Sequence, residues 1–163
     1  MSIDHLDTKY RPRQITGLVG QEWVVRSLTK QVETGKFAKA YLFAGCRGTG
    51  KTSVARILAT LLNCTDRKGV HVCGKCRACT AIHGGAAPDV VELDGASNTG
   101  VDKAREIKNG AYYAPQEFSH KVYIIDECQK LSSSAWDALL KVVEEPPSFC
   151  SFIFCTTEHA KIP

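Results

Sequence analysis

The chain contains no apolar run of the roughly 18 residues that a membrane helix needs, so no membrane span is expected. Its opening residues, MSIDHLDTKYRPR, lack the apolar core of a secretory signal and read as no export signal. Internal repeats and low-complexity segments are absent as well. Charge of one sign is scarce: the net charge is +4, an excess that a solvated surface explains as well as a nucleic-acid partner does. What remains is a chain of 163 residues, 44% hydrophobic and 23% charged, long enough to bury one core and ordinary for a globular domain. The cytosol is the expected compartment. One residue type is plentiful, with 8 cysteines. In a reducing compartment, clustered cysteines read as metal ligands rather than disulfides. Cys46, Cys128, Cys150 and Cys155 are scattered and read as small buried hydrophobes or loop residues.

Short apolar runs alternate with segments of helical spacing. Trp23, Val24, Leu28 and Val32 predict a helix between Gly20 and Gly35. AYLFAG (40–45) reads as a buried strand, and Val54, Ile57, Leu58, Leu61 and Leu62 as one face of a helix over 51–63. A small irregular module spans 64–79, and a short helix is expected after it, to about Gly84. DVVELD (89–94) is a second strand, followed by a turn in which Ser97, Asn98 and Thr99 are cap candidates. A helix is expected from Val101 to about Tyr113, weakened near its end by Gly110. KVYIID (121–126) and SFIFCTT (151–157) are the third and fourth strands. Between them, Ser132, Ser133 and Ser134 precede a helix that Pro146 and Pro147 stop. The order predicts a three-layer α/β fold on a parallel sheet.

Gly45-Cys46-Arg47-Gly48-Thr49-Gly50-Lys51-Thr52 matches the phosphate-loop pattern in full, after a predicted strand and at the start of a predicted helix. Glycines let successive backbone N–H groups turn inward around phosphate oxygens, and the helix N-terminus adds partial positive charge. Lys51 reaches the terminal phosphates, Thr52 offers a hydroxyl to Mg²⁺, and Ser53 is counted in the same binding set. Val122 to Ile125 form an apolar strand that ends in Asp126 and Glu127. The first acid is placed to help hold Mg²⁺, the second to orient and deprotonate an attacking water. Both are expected to face the loop from the tip of the adjacent strand. Thr156 and Thr157 end the fourth strand, where a hydroxyl can sit near a γ-phosphate.

Cys64, Cys73, Cys76 and Cys79 offer four thiolates within 16 residues. Tetrahedral Zn²⁺ takes such a set, and C-x-x-C spacing presents two sulfurs from one tight turn, here with Gly74 after Cys73. Four ligands leave no open position, so the site reads as structural. A redox-active C-x-x-C pair and an iron–sulfur cluster are the alternatives, and spacing alone does not exclude the cluster. His71 and His83 read as surface residues.

Together these motifs resemble the gamma/tau subunit of the bacterial DNA polymerase III clamp loader, an AAA+ ATPase, along nearly all of the chain. The resemblance includes Lys9 to Pro12, Val19 to Glu22, Ala40 to Phe43, the phosphate loop, the four-cysteine insertion and Leu93 to Asn98. It continues through Ala114-Pro115, Asp126-Glu127, Ala138 to Lys141, Glu144 to Pro147 and Thr156-Thr157. It implies an ATP-binding and hydrolysing module, dependent on ATP and Mg²⁺, that opens a sliding clamp and releases it onto primed DNA among other clamp-loader subunits. By matching position, Arg11, Pro12, Val19 and Gly20 lie around adenine, and Thr157 is the sensor threonine. The helix starting near Thr99 points its N-terminus at DNA phosphates, with Asn98, Lys103 or Arg105 beside it.

In the family an apolar residue, His and Met usually follow the acid pair, at positions that help couple the site to its neighbours. This chain has Cys128, Gln129 and Lys130 there. The family also continues beyond the position of Pro163, with a Ser-Arg-Cys motif that supplies an arginine finger, a fifth strand, a helical lid and a collar. Residues 1–163 therefore read as a truncated AAA+ core with a zinc module inserted at 64–79, and the phosphate-loop strand is expected at a sheet edge. Two other readings stand beside the motor: a nucleotide-binding interaction module with negligible turnover, and a different DNA-related P-loop ATPase.

Overall fold

A computed structural model of the chain describes residues 10–97 and 100–163. Four strands form one sheet: β1 (Ala40–Ala44), β2 (Val90–Asp94), β3 (Lys121–Asp126) and β4 (Cys150–Thr156). Every pairing is parallel, and the spatial order is β1-β4-β3-β2. Parallel strands cannot be joined by tight hairpins, so each connection carries a helix. α1 (Glu22–Thr34) precedes β1; the connections carry α2 (Lys51–Asn63) and α3 (Arg77–Gly84), α4 (Val101–Ala111) and α5 (Ser133–Glu144).

The two central strands are continuous apolar runs because both of their faces are covered. Val122 and Ile124 of β3 point with Ile153 and Cys155 of β4 into a core built with α1, α2 and α3, where Leu28, Ile57, Leu58 and Leu61 are buried. Tyr123, Ile125, Phe152 and Phe154 point the opposite way, onto Ala104 and Ile107 of α4 and Trp136 and Leu139 of α5. The alternation within each strand thus produces the three expected layers. β1 lies at the sheet edge, as expected, and Leu42 on it is 48% exposed.

Three local features differ from the sequence reading. First, α3 starts at Arg77, inside the cysteine module, so Cys79 sits on its first turn. Second, the N-cap of α4 is Gly100, with no side-chain cap bond; Ser97 instead donates to Asp94 Oδ2 at 2.8 Å, and Asn98 and Thr99 lie outside the described residues. Of the three serines before α5 only Ser132 is the cap, accepting the Ala135 N–H at 3.2 Å; Ser133 already belongs to the helix. Third, α4 ends at Ala111, one residue after Gly110, and that glycine is also a packing requirement. A Cβ there would lie 2.7 Å from the Tyr123 hydroxyl. The end of α4 is secured by buried Lys121, whose ammonium donates to the carbonyls of Gly110 and Tyr113 at 3.0 and 2.9 Å.

Candidate active site and metal centre

Parallel strands bring their C-terminal ends to one side of the sheet, and the loops there converge. The loop after β1 runs from Gly45 to Gly50 and delivers Lys51 as the first residue of α2. Gly48 and Gly50 have φ of 81° and 86°, values that side-chain-bearing residues rarely adopt, so the loop can close tightly over the helix start. Lys51 Nζ donates to the carbonyls of Gly45 and Cys46 at 2.9 and 2.8 Å, which holds the ammonium at the base of the loop. Gln21 Nε2 ties the segment before α1 to the Thr49 carbonyl at 3.2 Å.

The acid pair reaches this loop. Thr52 Oγ1 donates to Asp126 Oδ2 at 2.5 Å, joining the start of α2 to the tip of β3. β3 is not the neighbour of β1, however; β4 lies between them, so the acids meet the loop across one intervening strand. Glu127 follows in the left-handed region, with φ of 48°, the one non-glycine residue there among the described residues. Gly95 closes on it from β2: its N–H donates to the Asp126 carbonyl at 2.7 Å.

A cleft of about 770 Å³ opens above these groups. Of the residues singled out from the sequence, Arg11, Pro12, Val19, Arg47, Gly48, Thr49, Gly50, Lys51, Thr52, Ser53, Asp126 and Glu127 line it. Gly20, Gly45, Cys46 and Thr157 do not. Gly45 and Cys46 act from below through their carbonyls, and Thr157 Oγ1 donates to Glu127 Oε2 at 3.4 Å. Val19 is 93% exposed, so the wall it forms is open to solvent. Tyr10, Leu18, Gln21, Glu92, Leu93 and Asp94 also line the cleft and were missed. A signal existed for one of them: β2 also ends in an acid, and its register places Asp94 opposite Asp126. Glu92 forms a two-point ion pair with Arg56 at 2.7 Å, and that bond raises the Arg56 pKa further. Lys103 and Arg105 each pair with an acid on their own helix, Glu106 at 2.6 Å and Asp102 at 3.3 Å, in exposed ion pairs.

The four cysteines of the insertion lie together, with their sulfurs all within 4.8 Å of one another. A two-residue turn at Gly69 joins Lys68 to His71 by paired backbone bonds of 3.0 and 3.1 Å and brings Cys73 back to Cys64. The Cys73 N–H points at Cys64 Sγ and the Cys76 N–H at Cys73 Sγ, both at 3.3 Å. The Cys73–Cys79 and Cys64–Cys76 sulfur pairs are each 4.0 Å apart, too far for a disulfide and close to the edge of about 3.8 Å that a tetrahedron with 2.3 Å metal–sulfur bonds requires. This set can hold a metal ion. Burial pushes the Cys79 and Cys64 thiols up. At Cys76 burial acts the same way, but the amides of Cys79 and Thr65 together with the thiols of Cys79 and Cys73 outweigh it and bring the thiol down to about 6. Neither histidine joins the cluster: His71 is exposed, and His83 is half-buried rather than on the surface. Cys128, Cys150 and Cys155 are buried, as expected of small hydrophobes, while Cys46 is exposed in the phosphate loop.

The sequence profile of the family described as DNA polymerase III, delta subunit, matches residues 20–163. The chain belongs to this family. The chain is similar to DNA polymerase III subunit tau of Bacillus subtilis, 47% identical over 163 residues, all of this chain and 29% of that protein. It is 42% identical to subunit tau of Escherichia coli, over all of this chain and 25% of that protein. The resemblance to gamma/tau subunits read from the sequence is thereby shown, and the chain spans less than a third of the length of these relatives. Among solved structures, a DNA polymerase III gamma subunit-related protein of Thermotoga maritima superposes with a TM-score of 0.61 at 23% identity, covering 85% of this chain and 40% of that one. The RuvB Holliday junction branch migration motor of the same organism gives 0.54 at 18% identity, covering 91% and 41%. At these identities the structural likeness shows the P-loop fold alone.

Proposed function

We propose that the chain is an ATP-binding and hydrolysing core, spanning 1–163 with a zinc module at 64–79, that works within a DNA sliding-clamp loader. The observation that carries this reading is the direct Thr52–Asp126 bond, which places a hydroxyl and a carboxylate beside Lys51 and Glu127 in one cleft. The glycine-rich loop and the start of α2 suit a triphosphate, and the Lys51 ammonium moves from its two carbonyls to the terminal phosphates. Thr52 and Asp126 would hold Mg²⁺, a hard-oxygen donor pair suited to that ion, which when bound neutralises phosphate charge. Glu127 takes the proton of the attacking water, and Thr157 contacts the γ-phosphate from the end of β4. Arg11, Pro12 and Val19 form the open wall where adenine rests, with Gly20 next to Val19 in the chain. The four thiolates favour Zn²⁺ as a structural ion. The similarity to DNA polymerase III tau subunits supports partners among the subunits of that polymerase, with the sliding clamp and primed DNA as the objects of the work.

Two substitutions test this. Lys51→Ala is expected to abolish ATP binding in an equilibrium titration; unchanged affinity would remove the site assignment. Glu127→Gln should keep ATP affinity and lose hydrolysis when measured with purified clamp-loader partner subunits and primed DNA. If that variant hydrolyses at the wild-type rate, a nucleotide-binding module without a motor role takes the place of this reading.

A further inference from the structure

The turn Cys128–Lys130, which follows the acid pair, holds a side chain that the chemistry above does not use. Gln129 is partly buried between the tips of β3 and β4, and its amide is fully engaged. Nε2 donates to Glu127 Oε2 and also to Thr157 Oγ1, the latter at 2.9 Å. Oε1 accepts from Thr156 Oγ1 at 2.8 Å, and that hydroxyl oxygen in turn accepts the Glu158 N–H at 3.0 Å. The chemistry fixes the direction of the amide. An ionised carboxylate only accepts, so the NH₂ group must face Glu127; the amide oxygen then faces Thr156 and, having no hydrogen of its own, accepts that of the hydroxyl. Thr157 donates its own hydrogen to the same Glu127 oxygen. Oε2 of Glu127 is therefore held twice, whereas Oε1 has no hydrogen bond among the described residues and belongs to a side chain that lines the cleft.

We infer that Gln129 is the positioning residue of this site. Its amide anchors Oε2 of Glu127 so that Oε1 is presented to the attacking water, and it ties the aim of that carboxylate to Thr157. The inference rests on the reading of Glu127 as the base. It has a further consequence. When the Thr157 hydroxyl turns to a γ-phosphate, it gives up its bond to Oε2, and Gln129 becomes the only group holding the carboxylate. The effect of losing Gln129 thus depends on Thr157.

The test measures equilibrium ATP affinity and the single-turnover hydrolysis rate on the full chain. Gln129→Met keeps length and removes all three bonds. It is expected to lower the hydrolysis rate by about 10- to 100-fold, since a misplacement on the order of 1 Å costs that much, while the ATP dissociation constant changes by less than about threefold. Gln129→His retains an N–H donor and should recover most of the rate. Thr156→Val frees the amide oxygen without touching Glu127 and should give a smaller loss, which keeps the inference testable if the methionine variant folds poorly. On a Thr157→Val background Gln129 is the only group left on the Glu127 carboxylate, so Gln129→Met should cost at least as much as in the parent. A merely structural glutamine would lose affinity and rate together and would not be rescued by histidine; that result overturns the inference. So does a Gln129→Met rate within about twofold of the parent while Glu127→Gln is inactive, and in that case the base assignment survives. If Glu127→Gln turns over normally, the reading of the site falls and the inference goes with it.

Discussion

Gly95 offers the sharpest single perturbation. It follows β2 directly, is buried, and packs against the backbone of the acid pair rather than against side chains. A Cβ added there would lie 2.7 Å from the Glu127 carbonyl oxygen and 3.0 Å from that of Asp126. Carbon–oxygen contacts settle at about 3.3 Å or beyond, so Gly95→Ala must part the two strand tips by about 0.6 Å. Neither oxygen is at the free end of a flexible side chain, and the bond from the Gly95 N–H to the Asp126 carbonyl is strained as they part. Overpacking of this kind costs about 1–3 kcal/mol, which for a domain of this size lowers Tm by roughly 2–12 °C. The displaced atoms carry Asp126 and Glu127, so hydrolysis should fall by about 10-fold or more. ATP affinity should stay within about threefold, because the loop amides and Lys51 do not touch Gly95. The assay pairs calorimetry with single-turnover hydrolysis and uses Gly84→Ala as its control. Gly84 lies on α3 with nothing within 4 Å of an added Cβ, so that change should leave Tm unchanged or raise it. A Gly95→Ala protein that melts within about 1 °C of the parent and hydrolyses ATP normally would refute the steric argument.

Three further expectations follow from the packing and charge. Gly110→Ala should destabilise the protein by about 1–3 kcal/mol, because the Tyr123 ring is stacked on Phe152 at 5.4 Å and cannot retreat; Tyr123→Phe removes the clashing hydroxyl and should suppress most of the loss in a urea-unfolding double-mutant cycle. Elemental analysis of protein purified without chelator should find about one zinc per chain and well under half of that in Cys76→Ser, since three thiolates leave the tetrahedron open. Stability should fall in two stages on acidification. His83 and His120 have lowered pKa values, through burial first and then nearby Arg13 and Arg56 or Lys39, so below about pH 6.5 the unfolded chain takes up protons that the folded one resists. Asp89 is held below the usual carboxylate range; burial would raise it, but the N–H groups of Gln116, Phe118 and Glu117 outweigh that, and its contribution is lost as pH falls below about 4. His120→Gln should flatten the upper limb of the pH profile and Asp89→Asn the lower; a stability that is level from pH 7 to 3 would count against both assignments.

The elements were legible in the sequence where the pattern was dense. β3 could be bounded at Lys121 and Asp126 because a run of four apolar residues has no solvent face to interrupt it, and α2 at Lys51 and Asn63 because its apolar positions recur every three or four residues up to Cys64. The phosphate loop and the four cysteines were legible for a different reason. Each is contiguous, so the chemistry and the spacing lie in one stretch of chain. The start of α3 was not, since Arg77 looks like a loop residue between two ligands; what fixes it is the packing of Ala78 and Ile82 onto α2, a tertiary contact without a local signature.

The same distinction separates what was found in the cleft from what was missed. Asp126 and Glu127 announce themselves as charges ending an apolar strand. Gln129 carries no charge, matches no motif, and stood in the sequence only as a departure from a family pattern. Its role depends on the left-handed turn at Glu127, which sends the acid and the glutamine toward the tip of β4 rather than along β3. It also depends on Thr156, the last residue of β4, and Thr157 just beyond it, which lie 27 and 28 residues along the chain from Gln129. Neither condition is a property of the residues near position 129. A positioning group that works by hydrogen bonds between chain-distant segments becomes visible only when the sheet order is known. In that order the strand that separates the phosphate loop from its acids is also the one that supplies the hydroxyls anchoring Gln129, so the intervening position of β4 is what couples the two halves of the site.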